Sequence, residues 1–211
     1  MLDLRRLNVR DAICAAYGVQ MKSKPLDLQE STYQSTKGTK PISNSLIADG
    51  IEAGKVIAAV ESLPKHLRAW AVWAYAPRVP EWELPAQGVF FQWFADDVAI
   101  RLLEMEKVPR AGTADRIRSV SAWAALNWRD EKVSGKRPYS EAVIQKACGI
   151  QRQNWKRDYL CWYEWACGLC RGLDSEALAP VSAVLTAEKA KARAEYLAGR
   201  AGEYNYCAIA V

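Results

Sequence analysis

Apolar residues recur every three to four positions along most of this chain, and the polar stretches between them are short, with one exception. Recurrence at that spacing places apolar side chains on one face of an α-helix, whereas a strand alternates every second residue. No alternating run exceeds four or five residues. The pattern therefore predicts an all-α fold, a helical bundle-like domain. Asp11–Val19 reads as a first short helix. Residues 22–45, KSKPLDLQESTYQSTKGTKPISNS, are the exception, a polar stretch with two prolines and many hydroxyls that reads as a long loop.

From Leu46 to Leu63 the helical spacing returns, and Pro64 is placed to open the next helix, which stops at Pro77. RVPEWELP carries two further prolines and reads as a connector, with Trp82 on it as a candidate partner contact. Gln87–Lys107 predicts a long amphipathic helix with Phe91, Phe94, Val98, Leu102 and Met105 along its face. Thr113–Lys132 follows, capped by Thr113 and closed by SGKRP. Ser140 caps another helix. Asp174 and Ser175 offer a cap for a last stretch, broken or kinked at Pro180. These elements divide the chain into an N-terminal helix and loop (1–45), a helical core (46–173) and a C-terminal helix and tail (174–211).

The segment VIQKACGIQRQNWKRDYLCWYEW has a pattern of its own. Two helical runs meet at Gly149, as in a helix-turn-helix, where glycine accommodates a left-handed turn. The unit spans 140–166. Val143, Ile144 and Ala147 face inward on its first helix, and Ile150 fills the gap behind the turn. On the second helix, from about Gln151 to Leu169, Trp155, Tyr159, Trp162, Tyr163 and Ala166 fall on one stripe. Gln153, Lys156 and Arg157 project elsewhere, with Gln151 and Arg152 at the leading end. Arg paired with guanine and Gln or Asn paired with adenine read major-groove edges, and the leading residues of a recognition helix reach the bases. Asp158 departs from the pattern, since an apolar residue is usual there.

Charge supports a polyanion partner. Of 211 residues, 29 are Lys or Arg and 24 are Asp or Glu, a net charge of +5. Residues 136–171 alone hold seven basic side chains against three acids, a net of +4. Each phosphate contact releases condensed counterions, so a clustered basic face suits a nucleic acid. Lys136 and Arg137 of SGKRPYS, with Arg110, Arg116 and Arg118, are candidate phosphate or RNA contacts; an ordinary solvated face is the competing reading.

Other chemistry is sparse. Cys167-Gly-Leu-Cys170, with Cys161 or Cys207, has part of a zinc pattern, but there is no second CxxC and the single histidine, His66, is distant. Buried core thiols explain these cysteines better, so neither metal nor cofactor is expected. His66 reads as a surface residue near a helix start, and Asp96-Asp97 as a solvated helix face. Nothing assembles an active site, so no enzyme is expected. No apolar run approaches the roughly 20 residues that span a bilayer. The N-terminus lacks the apolar core and cleavage site of a signal peptide, and the chain reads as cytoplasmic with no membrane partner.

The order LPKHLRAWAVWAYAP, a long amphipathic helix, then YSEAVIQKACGIQRQNWKRDYLCWYEW resembles the Q-type antitermination proteins of lambdoid phages and their prophage-derived relatives, including AlpA-type regulators of lysis genes. The similarity covers roughly residues 45–170. The chain departs from the zinc-bearing branch of that family, whose paired CxxC motifs it lacks. The resemblance implies a protein that binds a double-stranded DNA element near a promoter. It then loads onto paused RNA polymerase still holding σ, and suppresses pausing and termination by narrowing the RNA exit channel. It also implies that Gln151, Arg152, Gln153, Lys156 and Arg157 form the DNA-reading helix, and nascent RNA is a further candidate partner. Two other readings of the residues stand beside it. One is an ordinary helix-turn-helix regulator, dimeric on its operator and acting only there; the other is a helical interaction protein whose basic patch is incidental.

Overall fold

The computed structural model describes residues 2–22, 44–106 and 109–208. Most of the polar 22–45 stretch, the predicted helix end at Lys107 and the side chain of Cys207 lie outside the described residues. Every element described is helical: α1 (Val9–Lys22), α2 (Asn44–Glu61), α3 (Lys65–Tyr75), α4 (Pro80–Leu103), α5 (Ala111–Ser134), α6 (Glu141–Ala147), α7 (Arg152–Asn154) and α8 (Leu160–Ala208). A π-helical turn, Trp155–Tyr159, joins α7 to α8. Among the described residues no helix is long and apolar enough to cross a membrane.

The chain forms two compact units, residues 63–177 and residues 1–62 with 178–211. In the second of these, α1 starts earlier than its apolar pattern suggests because Asn8 caps it. The Asn8 Oδ1 accepts the Asp11 backbone N–H at 2.9 Å, and Asn8 Nδ2 donates to Asp11 Oδ2 at 2.6 Å. That reciprocal pair satisfies a backbone donor left open at any helix start. Ile13, Ala16 and Tyr17 of α1, Val56 and Val60 of α2, and Val181 and Leu185 of α8 form this unit's apolar interior. At its edge Lys55 Nζ reaches Glu52 at 2.8 Å and Glu188 at 2.7 Å.

The unit of residues 63–177 is built around aromatics. Phe90 lies 5.0 Å from Trp70 and stacks on Trp73 at 4.9 Å between ring centroids. A buried carboxylate organises the polar edges of this core. Asp174 Oδ1 accepts Trp70 Nε1–H at 2.8 Å and Tyr75 O–H at 2.6 Å, and Oδ2 accepts Trp128 Nε1–H at 3.4 Å. Asp174 is therefore a core acceptor within an unbroken α8 and not a helix cap. The helix also runs through Pro180, because the buried stripe Leu173, Ala177, Val181 and Leu185 continues on both sides of it.

Most of the connector expected at RVPEWELP, from Pro80 on, is likewise helix. Pro80 sits at the first helical position, where its missing N–H costs nothing, and Glu81 and Glu83 favour the positive end of the helix dipole. Pro85 forfeits one backbone bond inside the helix. Trp82 is half-buried in this first turn and has its own partner interaction. Phe90, Phe94, Val98 and Leu102 form the buried face of α4, whereas Phe91 is half-buried and Met105 is 40% exposed beyond the helix end. Arg110, and not Thr113, occupies the N-cap of α5. His66 lies at the start of α3, half-exposed, and its ring stacks on Trp93 at 4.6 Å.

Candidate nucleic-acid interface

The turn between α6 and α7 closes by backbone bonding that glycine makes available. Gly149 has φ of 62°, and its N–H donates to Lys146 O at 3.3 Å while Ile150 N–H donates to Gln145 O at 2.8 Å. This nested pair caps α6 and is the Schellman arrangement, usually accompanied by an apolar contact across it. Ile144 and Ile150 are both buried on its inner side. Val143 and Ala147, expected to face inward, are exposed, since a seven-residue helix packed through Ile144 turns them outward. Ser140 holds the N-cap position as expected, but its hydroxyl makes no capping bond.

Beyond the turn, Gln151, Arg152 and Gln153 are exposed and line one shallow concavity. Gln153 Nε2 donates to Gln151 Oε1 at 3.0 Å, which sets both amides side by side. Among the described residues Arg152 and Lys156 have no carboxylate within salt-bridge distance, so their charges face solvent. Arg157 is differently placed. Its Nε and Nη2 both donate to Asp158 at 2.8 Å, and Nη2 also donates to Asn154 Oδ1 at 3.1 Å. The Arg157 hydrogen bond and charge hold the Asp158 carboxyl below the usual carboxylate range. Arg157 must leave that carboxylate before it can grip a base with two N–H groups.

Support for this surface comes from behind. Trp155, Tyr159, Trp162, Tyr163 and Ala166 are all buried, and Trp155 meets Tyr163 at 6.1 Å. The aromatic stripe thus faces the protein while Lys156 and Arg157 face away. The π-turn Trp155–Tyr159, where Leu160 N–H donates to Trp155 O, inserts a wider turn where the polar leading end gives way to the packed shaft. Such π-bulges occur frequently at functional sites.

Lys136 and Arg137 stand on the linker before α6. Gly135, at φ of 74°, ends α5 in the left-handed conformation and turns the chain. Buried Asn127 then clamps the linker. Its Nδ2 donates to Tyr139 O at 2.8 Å and to Tyr163 Oη at 2.9 Å, while its Oδ1 accepts the Tyr139 N–H at 3.1 Å. Arg137 Nε donates to Glu131 at 2.6 Å, and this bond raises the guanidinium pKa above its ordinary value. Arg110 and Arg116 are exposed on α5 and its cap, and Arg118 pairs with Asp115 at 2.8 Å.

The cysteines divide by depth. Cys161 is exposed, Cys167 half-buried, and burial pushes the Cys170 thiol well above its ordinary range. No group of three His, Cys, Asp or Glu side chains among the described residues is arranged to hold a metal ion. Asn127 carries no sequence signal and Asp174 only that of a cap, since each acquires its role through partners distant along the chain.

Residues 28–198 match the family model described as phage antitermination protein Q. No curated protein and no solved structure matches the chain significantly.

Proposed function

The chain belongs to the phage antitermination protein Q family, and we propose that it acts as a DNA-loaded accessory factor of RNA polymerase. In this reading it binds a duplex element near a promoter, joins polymerase that has paused with σ, and travels with the enzyme to suppress pausing and termination at a narrowed RNA exit channel. Its role is regulatory and not enzymatic. The observation that carries the DNA step is the exposed leading turn, Gln151, Arg152, Gln153 and Lys156, mounted on a buried aromatic stripe. Amide and guanidinium groups of this kind match adenine and guanine edges. Lys136 and Arg137 supply phosphate contacts that position the turn without reading sequence.

Chromatin immunoprecipitation of the tagged protein, mapped beside RNA polymerase, tests the whole sequence of events. Occupancy should begin at a promoter and extend with polymerase past a terminator. A peak confined to the promoter would replace this reading with an operator-bound regulator, and absence of any peak would leave a helical interaction protein. On the duplex so identified, Arg152→Ala and Gln153→Ala should each cost about 1–3 kcal/mol and relax base preference. Unchanged preference would remove this turn from DNA recognition.

A further inference from the structure

A second set of cations gathers around one indole. Lys132 Nζ lies 4.5 Å from the centroid of Trp128, and Arg171 Cζ lies 5.6 Å from the same centroid. The two come from different helices, α5 and α8, and both are exposed. Trp128 itself is buried and tethered through Nε1 to Asp174, so the platform is fixed. Some exposed cations of this unit meet acids: Arg101 pairs with Glu104, Arg118 with Asp115 and Arg137 with Glu131. Lys132 and Arg171 have no such partner among the described residues. The acids beside Lys132 on α5 are already engaged, Asp130 by Arg78 and Arg129, and Glu131 by Arg137.

This pair is continuous with the clamped linker. Arg137 of the linker pairs at 2.6 Å with Glu131, the residue that precedes Lys132 on α5. A ring quadrupole attracts both cations and holds them in place with their N–H groups still open to solvent. Guanidinium and ammonium groups held in place without an acid partner suit phosphates. A helix seated in a major groove about 12 Å wide must cross a sugar-phosphate strand as it leaves.

We propose that Lys132 and Arg171, together with Lys136 and Arg137, form a sequence-independent strip that holds the DNA backbone flanking the groove entered by the leading turn. The proposal rests on the DNA-binding reading above and assigns to it two residues, Lys132 and Arg171, on the Trp128 platform.

The test is fluorescence anisotropy of the full chain with a 30-base-pair duplex of arbitrary sequence, from 50 to 200 mM KCl. The double variant Lys132→Gln/Arg171→Gln should lower the slope of log K against log salt by roughly 2, and weaken binding on the order of tenfold, equally for any sequence. The charge-conserving variant Lys132→Arg/Arg171→Lys should restore the slope, which a merely structural role would not require. A wild-type chain that fails to bind any duplex would overturn the DNA-binding reading itself. Normal wild-type binding with an unchanged slope in the double variant would overturn only this assignment. So would loss of binding to a 20-nucleotide single-stranded RNA with duplex binding intact, since that would place an RNA strand on the strip.

Discussion

Asn127 uses both ends of its amide on a single task, fastening the linker that carries Lys136 and Arg137. Replacing it with alanine leaves the Tyr139 backbone N–H and carbonyl and the Tyr163 hydroxyl without their partner in a buried setting. A buried polar group stripped of its bond costs about 1–3 kcal/mol. Asn127→Ala should therefore lower unfolding stability by about 2–4 kcal/mol in urea titrations; a loss under 1 kcal/mol would mean the linker is held by other means. At this scale the sequence discloses exposed chemistry far better than buried chemistry. Arg152 and Gln153 could be placed on a polar face from spacing alone, because exposure needs no partner. Asn127 looks like an ordinary surface residue, and Asp174 like a helix cap, until the helices that surround them are in position.

The turn joining α6 to α7 depends on one backbone conformation. A Cβ added at Gly149 meets no neighbouring atom, so the cost of substitution comes from its positive φ alone. Gly149→Ala should destabilise by about 1–2 kcal/mol, and Gly149→Asn by less, because asparagine visits the left-handed region more readily. Equal losses for the two, measured by thermal unfolding, would point to a cause other than backbone strain. The turn was legible because a glycine between two apolar-periodic runs is itself a signal. The π-turn was not, since the buried stripe Trp155, Tyr159 and Trp162 satisfies helical spacing whether or not the helix widens. Prolines misled for a related reason. Pro85 and Pro180 each remove one backbone bond, but Phe90 and Phe94 on α4, and Val181 and Leu185 on α8, bury enough apolar surface to carry the helix through.

Across the whole molecule, the all-α class follows directly from periodicity, while the partition of the chain does not. Lys55 and Glu188 lie 133 positions apart yet meet at 2.7 Å, and no local pattern announces such a pairing. The bond with Glu188, reinforced by Glu52, raises the Lys55 pKa, and the same bond lowers that of Glu188. The lowered Glu188 value stabilises the fold above the unfolded carboxylate pKa, and that gain is lost as pH falls through the folded value. The raised Lys55 value stabilises below the unfolded lysine pKa, and that gain is lost as pH rises through the folded one. The pair is thus complete only between about pH 5 and pH 10. Lys55→Met should lower stability within that window by a few tenths to about 1 kcal/mol, as expected for a partly exposed pair. In urea unfolding the gap from wild type should narrow in acid, and a gap that is constant down to pH 2 would refute the assignment.

The same long-range pairing dictates an order of events during synthesis. Residues 63–177 form one uninterrupted segment, whereas the other unit needs both ends of the chain. At ribosomal speeds of roughly 5–20 residues per second, the helix bearing Val56 and Val60 waits on the order of ten seconds for Val181 and Leu185 to be made. The middle of the polypeptide can finish folding while its beginning is still short of a partner.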